Sequence, residues 1–199
     1  MKLKQTIIFG ALLIFSCPSF AQDAVKKDVA RPEPTADEKM WMQYMTPGPM
    51  QKMLASSNGD WMEDLTFWMA PGAPPTKAVA KCFNSMILGD RYQVSVSAGE
   101  MMGMPFEGRS TVGYDNARKV FQSTWVDNMG TGITYMEGTY NEETKTVSMK
   151  GDMVDPSTGK VEKARQTIKF TDEKNQFMEM YQTKNGKEFK TMEIKFTRR

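Results

Sequence analysis

The stretch Met101–Gly132, MMGMPFEGRSTVGYDNARKVFQSTWVDNMGTG, decides the fold. Two strand-like segments, 106–114 and 119–127, flank the turn Tyr114-Asp115-Asn116-Ala117, and apolar residues alternate with polar ones along the first of them. Successive side chains of a strand point to opposite faces, so Phe106, Val112 and Tyr114 share a face with Gly108 and Ser110, while Glu107, Arg109 and Thr111 point the other way. The stretch reads as a hairpin cut from a β-barrel.

The same texture runs outward in both directions. Ten candidate strands follow one another at about 61–69, 76–84, 89–98, 106–114, 119–127, 132–140, 145–152, 160–171, 175–183 and 188–197. The segments between them, Asn141-Glu142-Glu143-Thr144, Asp155-Pro156-Ser157-Thr158-Gly159 and Lys184-Asn185-Gly186-Lys187, supply the side-chain caps, preset φ and positive-φ residues that tight hairpins demand. Asn185-Gly186 is the strongest of these signals. Consecutive hairpins without a long crossover predict an all-β, up-and-down antiparallel barrel of about ten strands, since closure removes exposed sheet edges. Alternation is clean in 188–197, where Met192, Ile194 and Phe196 oppose Thr191, Glu193 and Lys195. It blurs in 119–127, where Phe121 and Trp125 face one way and Val120 and Val126 the other. That pattern predicts cover on both faces, one of them by an N-terminal helix.

Ahead of the strands, Thr35 is a candidate N-cap for a helix through ADEKMWMQYM, with acidic residues in its first turn. Pro47-Gly48-Pro49 breaks it, and a short helical piece over 50–54 follows. The N-terminus has the layout of a secretory signal peptide: Lys2 and Lys4, an apolar run from Ile7 to Phe15, and Ser19-Phe20-Ala21 before Gln22. The rival is acylation of Cys17, but Phe15 is bulky where such signals carry a small residue, and Pro18 follows the cysteine. The expected organisation is a signal peptide over 1–21 with cleavage near Ala21, a flexible leader over 22–35, and a single barrel domain over 36–199. The destination is the periplasm or the medium. The apolar run is too short to span a bilayer, which predicts no stable membrane insertion.

Without residues 1–21, the 26 basic residues lose Lys2 and Lys4 and match the 24 acidic ones in number. A neutral chain with no Lys/Arg stripe argues against nucleic acid as a partner and against a polybasic membrane patch. Only Cys82 of the 2 cysteines remains, so stability rests on burial rather than on an intramolecular disulfide. The chain contains no histidine. That excludes Ser-His-Asp and Cys-His nucleophile pairs, a histidine general base, histidine zinc sites and proximal-histidine haem ligation. Some barrels of similar outline hold haem through a histidine, and this chain has none to offer.

Three constellations carry the remaining chemistry. Glu137, Glu179 and Asp127 are strand-borne acids that leave paired-carboxylate glycoside chemistry formally open, although solvated strand positions explain them more simply. Ten of the 19 methionines cluster at Met40, Met42 and Met45, at Met50 and Met53, at Met101, Met102 and Met104, and at Met178 and Met180. Thioethers in an exported protein suit Cu(I) or Ag(I), and Met178 and Met180 share one strand face, but flexible methionines filling an irregular core or pocket is the favoured reading. Cys82 reads as a small buried hydrophobe, with Lys81 as the neighbour that would activate it if it were reactive. Tyr92, Phe106, Tyr114, Trp125 and Tyr135, with Met104, are the candidate lining of a small-ligand pocket, weighed against an ordinary aromatic core.

Pro71-Gly72-Ala73-Pro74-Pro75, Ile87-Leu88-Gly89-Asp90-Arg91-Tyr92, Met102-Gly103-Met104-Pro105-Phe106-Glu107-Gly108, Gly113-Tyr114-Asp115-Asn116 and Trp125-Val126-Asp127-Asn128-Met129-Gly130-Thr131-Gly132 carry a resemblance to the bacterial family called domain of unknown function 1579, over roughly residues 40 to 198. The resemblance implies a lipocalin-like barrel, and Gly59-Asp60-Trp61 at the first strand is a Gly-x-Trp of the kind such barrels show. It implies no catalytic residue and no cofactor. One departure is Gln51, where relatives place histidine in a Pro-Gly-x-x-His pattern. The reading is an exported, non-catalytic barrel that binds a small apolar or amphipathic ligand. Its rivals are a methionine-based Cu(I) binder held by Met178 and Met180, and a structural or envelope-interaction protein packed solid.

Overall fold

Helix α1, Ala36–Met45, begins at Thr35 in this computed structural model, which describes residues 33–184 and 186–199. The Thr35 hydroxyl accepts from the Glu38 amide at 3.2 Å and the Glu38 carboxylate accepts from the Thr35 amide at 2.7 Å. This reciprocal cap satisfies two donors that a helix start leaves open. Helix α2, Pro49–Ala55, follows the Pro47-Gly48 break, with Pro49 at a first-turn position where its missing N–H has no partner to lose. The expected signal peptide, Cys17, the leader up to residue 32 and Asn185 lie outside the described residues.

Ten strands then run in sequence: β1 Gly59–Phe67, β2 Thr76–Ile87, β3 Tyr92–Met101, β4 Met104–Asp115, β5 Val120–Asp127, β6 Thr134–Asn141, β7 Thr146–Val154, β8 Val161–Phe170, β9 Asn175–Lys184 and β10 Lys187–Arg198. Each pairs antiparallel with the next, and β10 pairs with β1 from Trp61↔Arg198 to Phe67↔Met192, so the sheet closes into an up-and-down barrel. The hairpins follow the predicted turn chemistry. Asp115 accepts from the Ala117 and Arg118 amides at 2.9 and 3.0 Å, and Asn141 accepts from the Thr144 amide at 2.9 Å. The second turn departs from the reading: Leu88 and Asp90 take positive φ there, so β2 runs on to Ile87 and β3 starts only at Tyr92.

Helix α2 leads into β1 and covers that end of the barrel. Leu54 packs in one buried cluster with Phe121, Met136, Val147, Met149 and Ala164, and Gln93 Nε2 donates to the Leu54 carbonyl at 2.6 Å. Trp61 Nε1 and Asn84 Nδ2 both donate to the Ser57 carbonyl, at 2.8 and 3.0 Å. Arg198 lies with its guanidinium 4.5 Å from the centroid of the Trp61 ring and donates to the Asn58 and Glu173 carbonyls. The last strand is thereby clasped to the first. Phe121 faces inward and is fully buried, as alternation predicts, but α1 does not cover the outer face of β5. Helix α1 buries no residue, Trp41 is 64% exposed and Val126 stands 41% exposed on the outer wall. The apolar outer positions that predicted a helix there are single exposed side chains, which a folded surface tolerates.

Candidate functional site

The inner wall is set by strand parity. On β1 the inward series is Trp61, Glu63, Leu65 and Phe67; on β4 it is Phe106, Gly108, Ser110 and Val112; on β9 it includes Met178 and Met180. These series do not fill the barrel. They enclose a cavity of about 400 Å³ that runs from Leu54 and Ser57 at the α2 end to Met101 and Met129 in the opposite hairpins. One side is apolar, with Leu65, Phe67, Ile168, Met180, Ile194 and Phe196; the other carries Ser95, Ser97, Ser110 and Ser123.

Trp125 is held in place by three neighbours. Its Nε1 donates to the Asp127 carboxylate at 2.6 Å, its rings stack on Phe106 with centroids 6.4 Å apart and planes 24° from parallel, and Gly108 lies against its edge. A Cβ on Gly108 would stand 2.3 Å from the Trp125 ring, so this position needs glycine for the close approach. Asp127 is also used by the chain itself, because its other oxygen accepts from the Met129 amide at 2.9 Å.

Glu63 is the buried acid of the cavity. Its residue is only 4% exposed, and Ser97 Oγ donates to its Oε1 at 3.0 Å. Small side chains make the room, since Ala80 is its cross-strand partner and Gly99 pairs with Ala80 in turn. Burial pushes the Glu63 carboxyl above its ordinary value, with the Ser97 hydroxyl acting in the opposite sense. Cys82 stands beside it, donating from Sγ to Asn84 Oδ1 at 3.2 Å. Burial, reinforced by the Glu63 charge, pushes the Cys82 thiol up to about 12, which keeps it protonated and unreactive at neutral pH.

The structure divides the six pocket residues read from the sequence. Phe106 and Trp125 line the cavity. Tyr114 also points inward but is packed against Phe121, with ring centroids 4.9 Å apart, at the α2 end. Met104 begins β4 at the rim of the opposite end and is half exposed. Tyr92 and Tyr135 are corrections. They are 42% and 45% exposed on the outer wall, because each is one residue out of step with the inward series Gln93, Ser95, Ser97 and Thr134, Met136. A one-residue step reverses the face. Tyr92 lies over Gly113 outside the barrel, where it lines, with Met45, Pro47 and Arg91, a smaller crevice beneath the α1–α2 link. Tyr135 donates to Glu137, which is itself paired with Arg118 through two contacts of 3.0 Å.

The other constellations separate as well. Glu137 and Glu179 stand on the outer wall in ion pairs with Arg118 and Lys190, away from Asp127, which lines the cavity. Met178 and Met180 do line the cavity, and Met192 is the cross-strand partner of Met180. Among the described residues, no group of three or more Cys, Asp or Glu side chains is placed to hold a metal ion. Gln51 is buried with each amide atom engaged: Oε1 accepts from the Gly48 amide at 2.8 Å, and Nε2 donates to the Tyr114 carbonyl and Asn116 Oδ1 at 3.1 Å. It ties α2 to the end of β4. Glu63 and the serines escaped the sequence reading, although Trp61 and Leu65, two residues to either side of Glu63, carry the signal that places it inside.

A closed ten-stranded antiparallel barrel, plugged at one end by a short helix and hollow in its interior, is the class of protein that this geometry defines. The chain belongs to the family described as protein of unknown function (DUF1579), whose profile matches residues 46–198. The fold is shared with the crystal structure of Rv2717c from M. tuberculosis, with a TM-score of 0.57 at 11% identity over 77% of this chain and 99% of that one. No curated protein sequence matches the chain significantly.

Proposed function

We propose that this protein is an exported, non-catalytic barrel that binds one small amphipathic ligand. The observation that carries the reading is the interior cavity: its volume falls within the roughly 300–1,000 Å³ of small-molecule sites, and its apolar wall faces a few polar groups. The fixed aromatic wall of Trp125 and Phe106 supports it, because a ring locked by packing and a hydrogen bond loses little freedom when a ligand arrives. The charged, apolar and small-residue order of residues 1–21 supports export.

Native mass spectrometry of protein isolated from its own compartment, set against the denatured mass of the same sample, tests the reading. A mass excess that vanishes on denaturation is the expected result, with Trp125→Ala lowering the retained fraction several-fold. A bare native mass in freshly isolated protein, with no uptake of alkyl probes afterwards, would sink it. A second reading, a Cu(I) site, rests on the three thioethers of Met178, Met180 and Met192 on one inner face. It requires Cu(I) retention that Met178→Leu with Met180→Leu abolishes.

A further inference from the structure

We infer that the ligand's head group is a protonated amine and that Glu63 is the carboxylate that anchors it, the rest of the molecule being an apolar tail. The inference rests on the amphiphile-binding reading above and adds the chemistry of the head. It follows from the charges around the cavity. Among the described residues two acids, Glu63 and Asp127, line it, and no lysine or arginine does. Elsewhere among the described residues, acids such as Glu137, Glu179, Glu188, Asp152 and Asp155 pair with lysine or arginine. Glu63 pairs with none and is the most deeply buried carboxyl of the set.

The two acids differ in spare capacity. Asp127 spends one oxygen on the Trp125 indole and the other on the Met129 amide. Glu63 accepts from Ser97 at 3.0 Å and has the Cys82 thiol as its other neighbouring donor, so an ionised carboxylate there, with about four acceptor positions, keeps room for a head group. The cross-strand partners of Glu63 are Ala80 and Phe196, and among the described residues only Ser97 and the neighbouring Cys82 thiol donate to it. A buried, unpaired carboxylate is costly, which is why burial pushes the Glu63 carboxyl above its ordinary value.

Each head group then meets the site differently. A fatty acid brings a second carboxyl to a wall without a cation. An alcohol donates one hydrogen bond and leaves the charge question as it was. An ammonium donates up to three and supplies the missing positive charge. The proton count balances for either form of Glu63: an ammonium meeting the carboxylate exchanges no proton, an ammonium meeting the protonated acid releases one to solvent, and a neutral amine takes the acid's proton, with the same ion pair at the end. The methionine and phenylalanine wall takes the tail.

Calorimetric titration of the protein expressed from the full chain with n-decylamine, 1-decanol and decanoic acid, one apolar tail with three heads, tests this at pH 7.5 and low probe concentration. The expected order is amine at least tenfold tighter than alcohol, with the acid weakest, and a Glu63→Gln variant in which the amine-to-alcohol ratio falls to about one. The ranking in the unaltered protein decides the matter even if the variant does not fold. Alcohol or acid binding as tightly as amine overturns the head-group assignment and leaves amphiphile binding standing. Absence of binding by all three overturns both.

Discussion

Glu63 and Cys82 share a small polar pocket on the inner wall, and each is governed by burial. For Glu63 the folded value lies above the ordinary 4.5, so between 4.5 and that raised value the native state holds a proton that the unfolded chain has released. Stability contributed by this group is therefore present at low pH and lost as pH rises through that window. Urea titrations across pH 4 to 8 are expected to show Glu63→Gln gaining on the parent protein through the window and keeping a constant advantage above it. A difference that stays flat with pH, or one of opposite sign, would show that the carboxyl is not raised. Cys82 makes a separate prediction. A thiol moved from 9.0 to about 12 has a thiolate fraction about a thousandfold smaller at pH 8, so disulfide reagents should label the native protein at least a hundredfold more slowly than the denatured chain. Rapid native labelling would mean that the pocket opens. Cys82 as a buried small residue was readable because a lone strand cysteine most often packs as a small hydrophobe. Glu63 was equally readable by parity with Trp61 and Leu65, but its partner Ser97 was not, because that contact joins residues 34 apart across two strand pairings.

At the scale of elements, the barrel is secured where its first and last strands meet. Arg198 spans Trp61 and the carbonyls of Asn58 and Glu173, a charged donor replacing bonds that the chain ends would otherwise leave to water. Thermal and urea unfolding of Arg198→Ala should show a loss of about 2 kcal/mol, the scale of a charge-assisted hydrogen bond plus a cation–π contact. Arg198→Lys should recover only part, since an ammonium lacks the planar fork. A loss within error in both would mean that strand pairing alone closes the barrel. On β4, Gly108→Ala places a Cβ in the space of the Trp125 ring. The near-ultraviolet circular dichroism of the tryptophans should change, and retained ligand should drop with it. Both effects concern elements whose existence alternation and turn residues announced. What the local pattern did not announce is the job of each helix: α1 carries the larger run of apolar residues but stays exposed, while the seven residues of α2 plug the barrel. Burial of a helix depends on which surface it meets, and that surface is built by strands far along the chain.

The molecule as a whole trades packing for space. One end is filled by Leu54, Phe121, Val147 and Met149, and the rest of the interior keeps a cavity whose serine wall lacks the bulk to close it. Ser110→Leu with Ser123→Leu should fill part of that space, raising stability by roughly 0.5–2 kcal/mol while reducing ligand uptake. Lower stability with uptake intact would mean that these serines are hydrogen-bonded parts of the wall rather than spacers. Strand number, hairpin order and the two faces of β4, β5 and β10 were determined by the sequence itself, because a period of two and the turn residues act over a few neighbours. The grouping of Tyr92 with the pocket aromatics rested on adjacent strands rather than on parity, and on β3 it is Gln93 that faces inward. Tertiary structure alone decided that the barrel is hollow, that Trp125, Phe106 and Glu63 line one cavity while Tyr135 stands outside, and that among the described residues the cavity is lined by acids and no base. Those properties depend on how ten inward series meet across a closed sheet, and no single segment of the chain contains that information.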